Sequence, residues 1–568
     1  MTANAPRACS PVGRLVIHGM WLLVAACGGD GDDSVSNPPA PPAAPSLAVD
    51  CAGPHCGAIS PDRYDGQGIG LWRYTNDTDE RVALPIRITG IPGKDVQLIY
   101  ASHSEAPQKL PALELFVRSP YPGAALASTL NGLSLRAGQP STFPTTRRGR
   151  IPEAMWRKFR AQRQISPQLR AAPDVRVPPQ VGDRRNWWID SSVDEPDSIR
   201  SRPATLRKQV MASGIDPRRV NFWVADPTEG PDLITDGMLD QLAQRVLAGD
   251  DSSYARLVAL AGPLWGPSPY ENVIPPDQDL HIVIADGLAS GGYVDLLNVL
   301  RRDMPTGIPE IDEWLRFSNE AIAAVLHAAS VYDPLGPVGY GPSMLMHELT
   351  HAATAYGRDF SRTISYANDT WLEEMVATMM QDVQFLEDLD SKHSIRDDRL
   401  ASWLRLVKWG SLNCDLRSVS ASDFTQACYG YDRVGSFGAF LLRQFGVAFF
   451  HGLLQNTSSQ DSFEVLDDAI RQAGGAGFAQ AWQRFSTIAA LLPATNVPTG
   501  FGMPARKENG YALVPMDGAR YAASELPTAT PMRLAPYGIF PFARPGIQGT
   551  YQETVVVPPH TSLSVVVR

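Results

Sequence analysis

The sequence predicts a multidomain protein in which a central α+β domain, a mixed sheet plus helices, is flanked by an N-terminal β-sandwich and a small C-terminal β-domain. Three observations predict it. A chain of 568 residues exceeds what one hydrophobic core organises. Short β-rich runs separated by Gly and Pro fill the stretches before residue 140 and after residue 500. Helical patterns dominate from about 311 to 491, broken by loops around 333–342 and 411–430.

Composition narrows the function. Charged residues are 19% and hydrophobic ones 44%, an ordinary globular balance. Lys plus Arg number 50 against 60 Asp plus Glu, a net charge of −10, which argues against nucleic acid as the main partner. No run reaches the roughly 18 apolar residues that span a bilayer as a helix.

Residues 1–26 read as a signal peptide. Arg7 and Arg14 precede the apolar stretch from Leu15 to Ala26, and small residues Ala25 and Ala26 lead to Cys27. The pattern resembles a bacterial lipoprotein signal, which implies export, cleavage before Cys27 and lipidation of that residue. More than one acyl chain gives a stable membrane anchor. By the same resemblance, Gly28 after Cys27 points to the outer membrane, with surface exposure or release left open. Residues 27–57 follow as a Pro-rich tether with a disulfide loop, and the Pro-rich part reaches up to about 70 Å at ~3.1 Å per residue.

Beyond Cys9 in the leader and Cys27, four cysteines form two close pairs, Cys51/Cys56 and Cys414/Cys428. An even count in an exported chain reads as two disulfides. Metal ligation is the alternative, but neither pair has zinc-finger spacing with partner histidines.

Residues 58–146 form the expected N-terminal β-domain, with Arg81–Ile88 partly alternating and Val96–Tyr100 β-rich. Residues 147–200 read as a basic, Pro-containing linker; 147–176 hold nine Lys/Arg against two Asp/Glu. That segment is either a basic binding surface or a solvated, nickable connection. Residues 201–500 make the central domain, whose buried strands include Asn221–Ala225 and Leu280–Ala285. Residues 501–568 are the C-terminal β-domain, with Thr554–Val557 and Ser562–Val567 as its clearest strands.

The chemistry lies in Met344-Leu345-Met346-His347-Glu348-Leu349-Thr350-His351. Four residues apart on a helix, His347 and His351 present both imidazoles to one zinc ion. Glu348 beside them can act as general base on a zinc-activated water, as in H-E-x-x-H metallopeptidases. Ser343 is a plausible N-cap and Gly357 a C-terminal stop for that helix. The positions that would carry Gly and His in a metzincin are Thr354 and Gly357, which excludes that class.

The next helix begins Asn368-Asp369-Thr370-Trp371-Leu372-Glu373-Glu374. Gluzincins take a third zinc ligand from a Glu on such a helix, and their W-L-N-E-G-F-A-like segment resembles Trp371–Ala377, aligning Glu374 with the ligand. Helix chemistry separates the acids independently: Thr370-x-x-Glu373 reads as a capping box that turns Glu373 back towards the N-cap, leaving Glu374 the freer. Asp359 and Asp369 are the fallback ligands. Tyr431, before a Gly-containing apolar helix, resembles the oxyanion-stabilising tyrosine of aminopeptidase N-like gluzincins; a tyrosine that only packs its ring is the alternative. His327, His393 and His451 have no motif around them.

Ser318-Asn319-Glu320, expected on a preceding helix, Leu280–Asp286 with Gly291-Gly292-Tyr293, the motif, and Thr370–Met380 together resemble the hyicolysin family of bacterial zinc metallopeptidases. The resemblance covers roughly residues 200–450 and implies a zincin-like fold, one Zn2+ per chain, and protein or peptide substrates. Met375 departs from the small residue usual there, as does Glu373. The expectation is an exported, lipid-anchored zinc endopeptidase. An aminopeptidase is the near rival, disfavoured because no G-x-M-E-N-like segment is present. A surface adhesin or binding lipoprotein on a metallopeptidase fold is the rival from another class.

Overall fold

The computed structural model describes residues 44–115, 153–162, 178–191, 198–228, 230, 232–288, 290–332, 340–384, 400, 403, 412–419, 430–490, 496–516 and 530–568. The leader, Cys27, most of the tether, His393 and Cys428 lie outside them. By contacts the chain divides into Met1–Ala44 and Pro45–Arg568, and the elements that follow all belong to the second unit.

In chain order, the first strands are β1 (Ala48–Val49), β2 (Ala58–Ser60), β3 (Arg63–Tyr64), β4 (Gly70–Asn76) and β5 (Val82–Ser102). Helix α1 (Glu153–Gln162) precedes β6 (Arg184–Asp190), β7 (Ile199–Ala212) and β8 (Arg218–Ala225). Helices α2 (Asp236–Leu247) and α3 (Ser253–Ala261) lead to β9 (Leu280–Ala285), β10 (Gly292–Val294) and β11 (Ile322–His327). Then come α4 (Tyr340–Ala355), α5 (Thr370–Gln384), α6 (Gly430–Gln455), α7 (Ser462–Gln472) and α8 (Phe478–Ser486), and finally β12 (Ile539–Val557) and β13 (Thr561–Val567).

The mixed sheet is six-stranded in the order β10-β11-β9-β8-β7-β6. Its strands β8, β9 and β11 are parallel, while β10 runs antiparallel at one edge, with Val294 opposite Ala324. Strand β9, Leu-His-Ile-Val-Ile-Ala, is buried at every position, as a strand covered on both faces must be. Residues Ile282 and Ile284 point into the helical core, and Val283 into a second cluster with Trp187, Trp223 and Val325.

The two terminal β-regions are not separate domains. Strand β5 lies between β12 and β13, so residues 82–102 and 539–567 hydrogen-bond into one seven-stranded sheet. Along β13, Leu563, Val565 and Val567 face the β-core and Val566 the helical core. The sheet is thus a wall shared by two cores, and Ser564 hydrogen-bonds Gln483 on α8 through it. Apolar periodicity marks each strand but not its partner, and closing a long loop costs little more than closing a short one.

The span read as a linker, 147–200, also carries structure. Trp156 and Phe159 of α1 are buried in the helical core, and β6 extends the mixed sheet. Ser318–Glu320 do not lie on a helix; they follow a short helical turn and lead into β11. A five-residue apolar run such as Ile322–Leu326 fits a strand or a buried helix equally by pattern alone. Helix α6 is long and apolar enough to cross a membrane, with 26 residues and mean hydropathy 1.4, yet it is mostly buried and kinks at Gly446, where φ is 86°. Its apolarity serves the interior of a folded domain.

Candidate active site

Helices α4 and α5 pack against each other and bring the motif residues together. His347 and His351 sit one turn apart, their rings 4.8 Å apart and nearly perpendicular. Glu374 Oε2 on α5 lies 3.1 Å from His347 Nε2 and 3.6 Å from His351 Nε2. One donor atom from each of these three buried residues falls within 4.8 Å of the others. Two imidazole nitrogens and one carboxylate oxygen suit a zinc ion that keeps an open position. His351 Nε2 is buried without a hydrogen-bond partner, as a ligand atom aimed at a metal would be.

Each imidazole is also held from behind. Gln381 Nε2 donates to the Ser343 hydroxyl (3.1 Å), which leaves Gln381 Oε1 to accept from His347 Nδ1 at 3.2 Å. Glu373 Oε1 accepts from His351 Nδ1 at 3.2 Å. With both Nδ1 atoms donating, both Nε2 lone pairs face the point shared with Glu374.

The capping-box reading of Glu373 does not hold. The main-chain cap of α5 is Asp369, whose carbonyl accepts from the Glu373 amide at 3.0 Å. The Glu373 side chain turns instead to Asn368, Thr354 and His351. A buried acid needs donors, and the facing helix supplies them. Ser343 lies inside α4 rather than capping it, and Gly357 sits within a widened turn at Tyr356–Phe360 that ends the motif helix. Asp359 and Asp369 are engaged elsewhere: Arg160 of α1 binds Asp359 at 3.1 Å, and Arg157 binds Asp369 at 2.9 Å.

Glu348 is fully buried. Burial pushes its pKa up to about 8 and Glu374 adds to the rise, while His351 and the Val294 backbone amide on β10 oppose it. For His351, burial lowers the pKa, but Glu374 and Glu373 outweigh it and raise the value to about 10. Burial alone would raise the Glu374 pKa; the two histidines hold it well below the usual carboxylate range. Tyr431, half-buried at the start of α6, sets its ring 6.4 Å from that of His347.

Met375 fits because α6 offers no side chain opposite it. A Cβ at Gly438 would stand 2.6 Å from Met379 Cγ and 3.0 Å from Met375 Cγ. Behind the site, Arg443 of α6 binds Asp382 of α5 at 2.6 Å with both side chains buried. Gln381 escaped the sequence reading, although it lies seven residues from Glu374 and hence on the same face of α5. Cys51 and Cys56 form a disulfide, with Cα atoms 5.5 Å apart. Cys414 is buried and disulfide-bonded, and its expected partner Cys428 is outside the described residues. His327 accepts from the Ala329 amide and His451 bonds the Leu260 carbonyl, both structural contacts.

A family model described as Peptidase M30 matches residues 198–568, well over half of the chain. The chain belongs to the peptidase M30 family. The match is consistent with the hyicolysin resemblance, and it runs beyond the helical domain through β12 and β13. Residues 50–115 of this M30 peptidase match a second model, a domain of unknown function (DUF8571). The seven-stranded sheet is therefore built from both matched segments. No curated protein matches the chain. Among solved structures, an M1 zinc metallopeptidase from Deinococcus radiodurans, a mutant bound to Tyr-Ser-Ala, is similar at 13% identity, with 78% of this chain and 75% of that one covered and a TM-score of 0.28. The same enzyme without the substitution gives 11% identity, 79% and 76% coverage, and a TM-score of 0.29. Likeness at that level is too slight to carry function.

Proposed function

We propose that this M30 peptidase is an exported, lipid-anchored zinc endopeptidase, with His347, His351 and Glu374 as ligands of one zinc ion and Glu348 as general base. The observation that carries the reading is the convergence of His347 Nε2, His351 Nε2 and Glu374 Oε2 beside the buried Glu348 carboxylate. Zinc held there would supply a Lewis acid and acidify a water to a pKa of about 7. Glu348 removes a proton from the attacking water and later delivers it to the leaving amine. Tyr431, whose ring lies 6.4 Å from that of His347, is the residue we assign to donate a hydroxyl to the developing oxyanion.

Strand β10, the outer strand of the mixed sheet among the described residues, lies beside Glu348 and is buried at all three positions. An aminopeptidase needs a carboxylate to hold the free N-terminus. Residues Gly292–Val294 carry none, and the adjacent Asp295 caps the Leu297 amide at 2.9 Å. The anchor rests on the leader and Cys27 alone.

The test is digestion of a peptide library with and without chelator, read by mass spectrometry. Chelator-sensitive internal cuts support the proposal. Stepwise loss of N-terminal residues would make it an aminopeptidase, and zinc binding without any cleavage would favour the binding lipoprotein.

A further inference from the structure

We propose that Glu373 is a positioning residue whose carboxylate fixes His351 as a zinc ligand; the inference rests on the metal-site reading above. Glu373 and Glu374 are adjacent, both buried, and differ in the side of the histidines that they address. Glu374 meets the Nε2 atoms, whereas Glu373 Oε1 meets His351 Nδ1 on the opposite side of the ring. Glu373 is therefore turned away from the point where the donor atoms converge.

Three donors, two from α4 and one from the connection that leads into α5, converge on that carboxylate: His351 Nδ1–H at 3.2 Å, the Thr354 hydroxyl, and Asn368 Nδ2 at 2.9 Å. Thr354 lies three residues after His351 on α4, and Asn368 just precedes α5. Both therefore hold the acid against the imidazole rather than against the amides that begin its own helix. An ionised carboxylate accepts only, so Nδ1 must carry the proton and Nε2 keeps its lone pair for the metal. The two histidines differ in this respect, because His347 is backed by the neutral amide of Gln381. A charged acceptor makes His351 the more strongly donating ligand of the pair.

The test measures zinc affinity by chelator competition, together with the visible spectrum of the cobalt-substituted protein, in wild type and variants. Glu373→Ala is expected to bind zinc about 10–100-fold more weakly, with an altered cobalt spectrum. Glu373→Gln offers an uncharged acceptor to the same Nδ1–H and should recover most of that loss and the cobalt spectrum. If Glu373→Ala does not fold, Glu373→Asp decides, because it keeps the charge but withdraws the acceptor by one methylene; weakening of about tenfold is expected. Wild-type affinity and spectrum in the alanine variant, or in the aspartate variant where it decides, overturn the proposal. Glu374→Ala is measured alongside. If wild type binds no zinc, or Glu374→Ala binds it equally well, the metal-site reading itself has failed; if only the Glu373 variants match wild type, the positioning role alone has failed.

Discussion

Glu374 Oε2 and His347 Nε2 stand 3.1 Å apart although 27 residues separate them. Glu374→Ala should therefore leave a two-histidine site. Zinc retained after dialysis is expected to fall from one ion per chain to a trace, with the fold preserved. Asp359→Ala, which breaks the ion pair to Arg160, should keep the metal. Loss by Asp359→Ala and retention by Glu374→Ala would place the third ligand on the wrong residue.

The motif was readable because its geometry is local. One helical turn sets His347 beside His351, so spacing alone implies a shared ligand. Glu374 needed the family resemblance, since no local rule says which helix packs on α4. The inference for Glu373 failed for the same reason: a capping box is a local alternative, and donors on another helix won. The terminal strands show the limit at larger scale. Val96–Tyr100 and Ser562–Val567 read correctly as strands, but nothing in either run specifies that they pair with each other. In 147–200, Arg and Pro dominated the composition and concealed Trp156, Phe159 and Trp187, which are buried.

Gly438 is expected to be intolerant of a side chain. Alanine gains about 1 kcal/mol over glycine in a helix interior, while overpacking costs about 1–3 kcal/mol. Contact with both Met375 and Met379 near their backbone ends makes the second effect the larger, so Gly438→Ala should be modestly destabilised in urea denaturation. An alanine variant more stable than wild type would show that the methionines yield freely.

A cut introduced between residues 116 and 152 should not release the N-terminal piece. Strand β5 pairs with β12 on one side and β13 on the other, and Leu84, Ile86, Val96 and Leu98 are fully buried in the same core as Val555 and Val565. Each such side chain contributes about 1.5–3 kcal/mol on burial. Engineering a specific protease site there and running the cut protein on size exclusion should give one peak containing both fragments. Two separated fragments would mean that the N-terminal region is a removable pro-segment.

Cys27→Ser should move the protein from the membrane fraction to the soluble one, because the proposed anchor is covalent and α6, the one membrane-length apolar helix among the described residues, is buried in the fold. Membrane association that survives a high-salt wash in this variant would contradict the tether.

The most direct test of the central claim is zinc content and peptide hydrolysis measured together on Glu348→Gln. Glu348 lies beside the three converging donors without being one of them. Removing its charge should leave one zinc ion per chain while hydrolysis falls by about 10²–10⁴-fold, the range expected for a lost general base. Turnover close to wild type with zinc still bound would contradict the account.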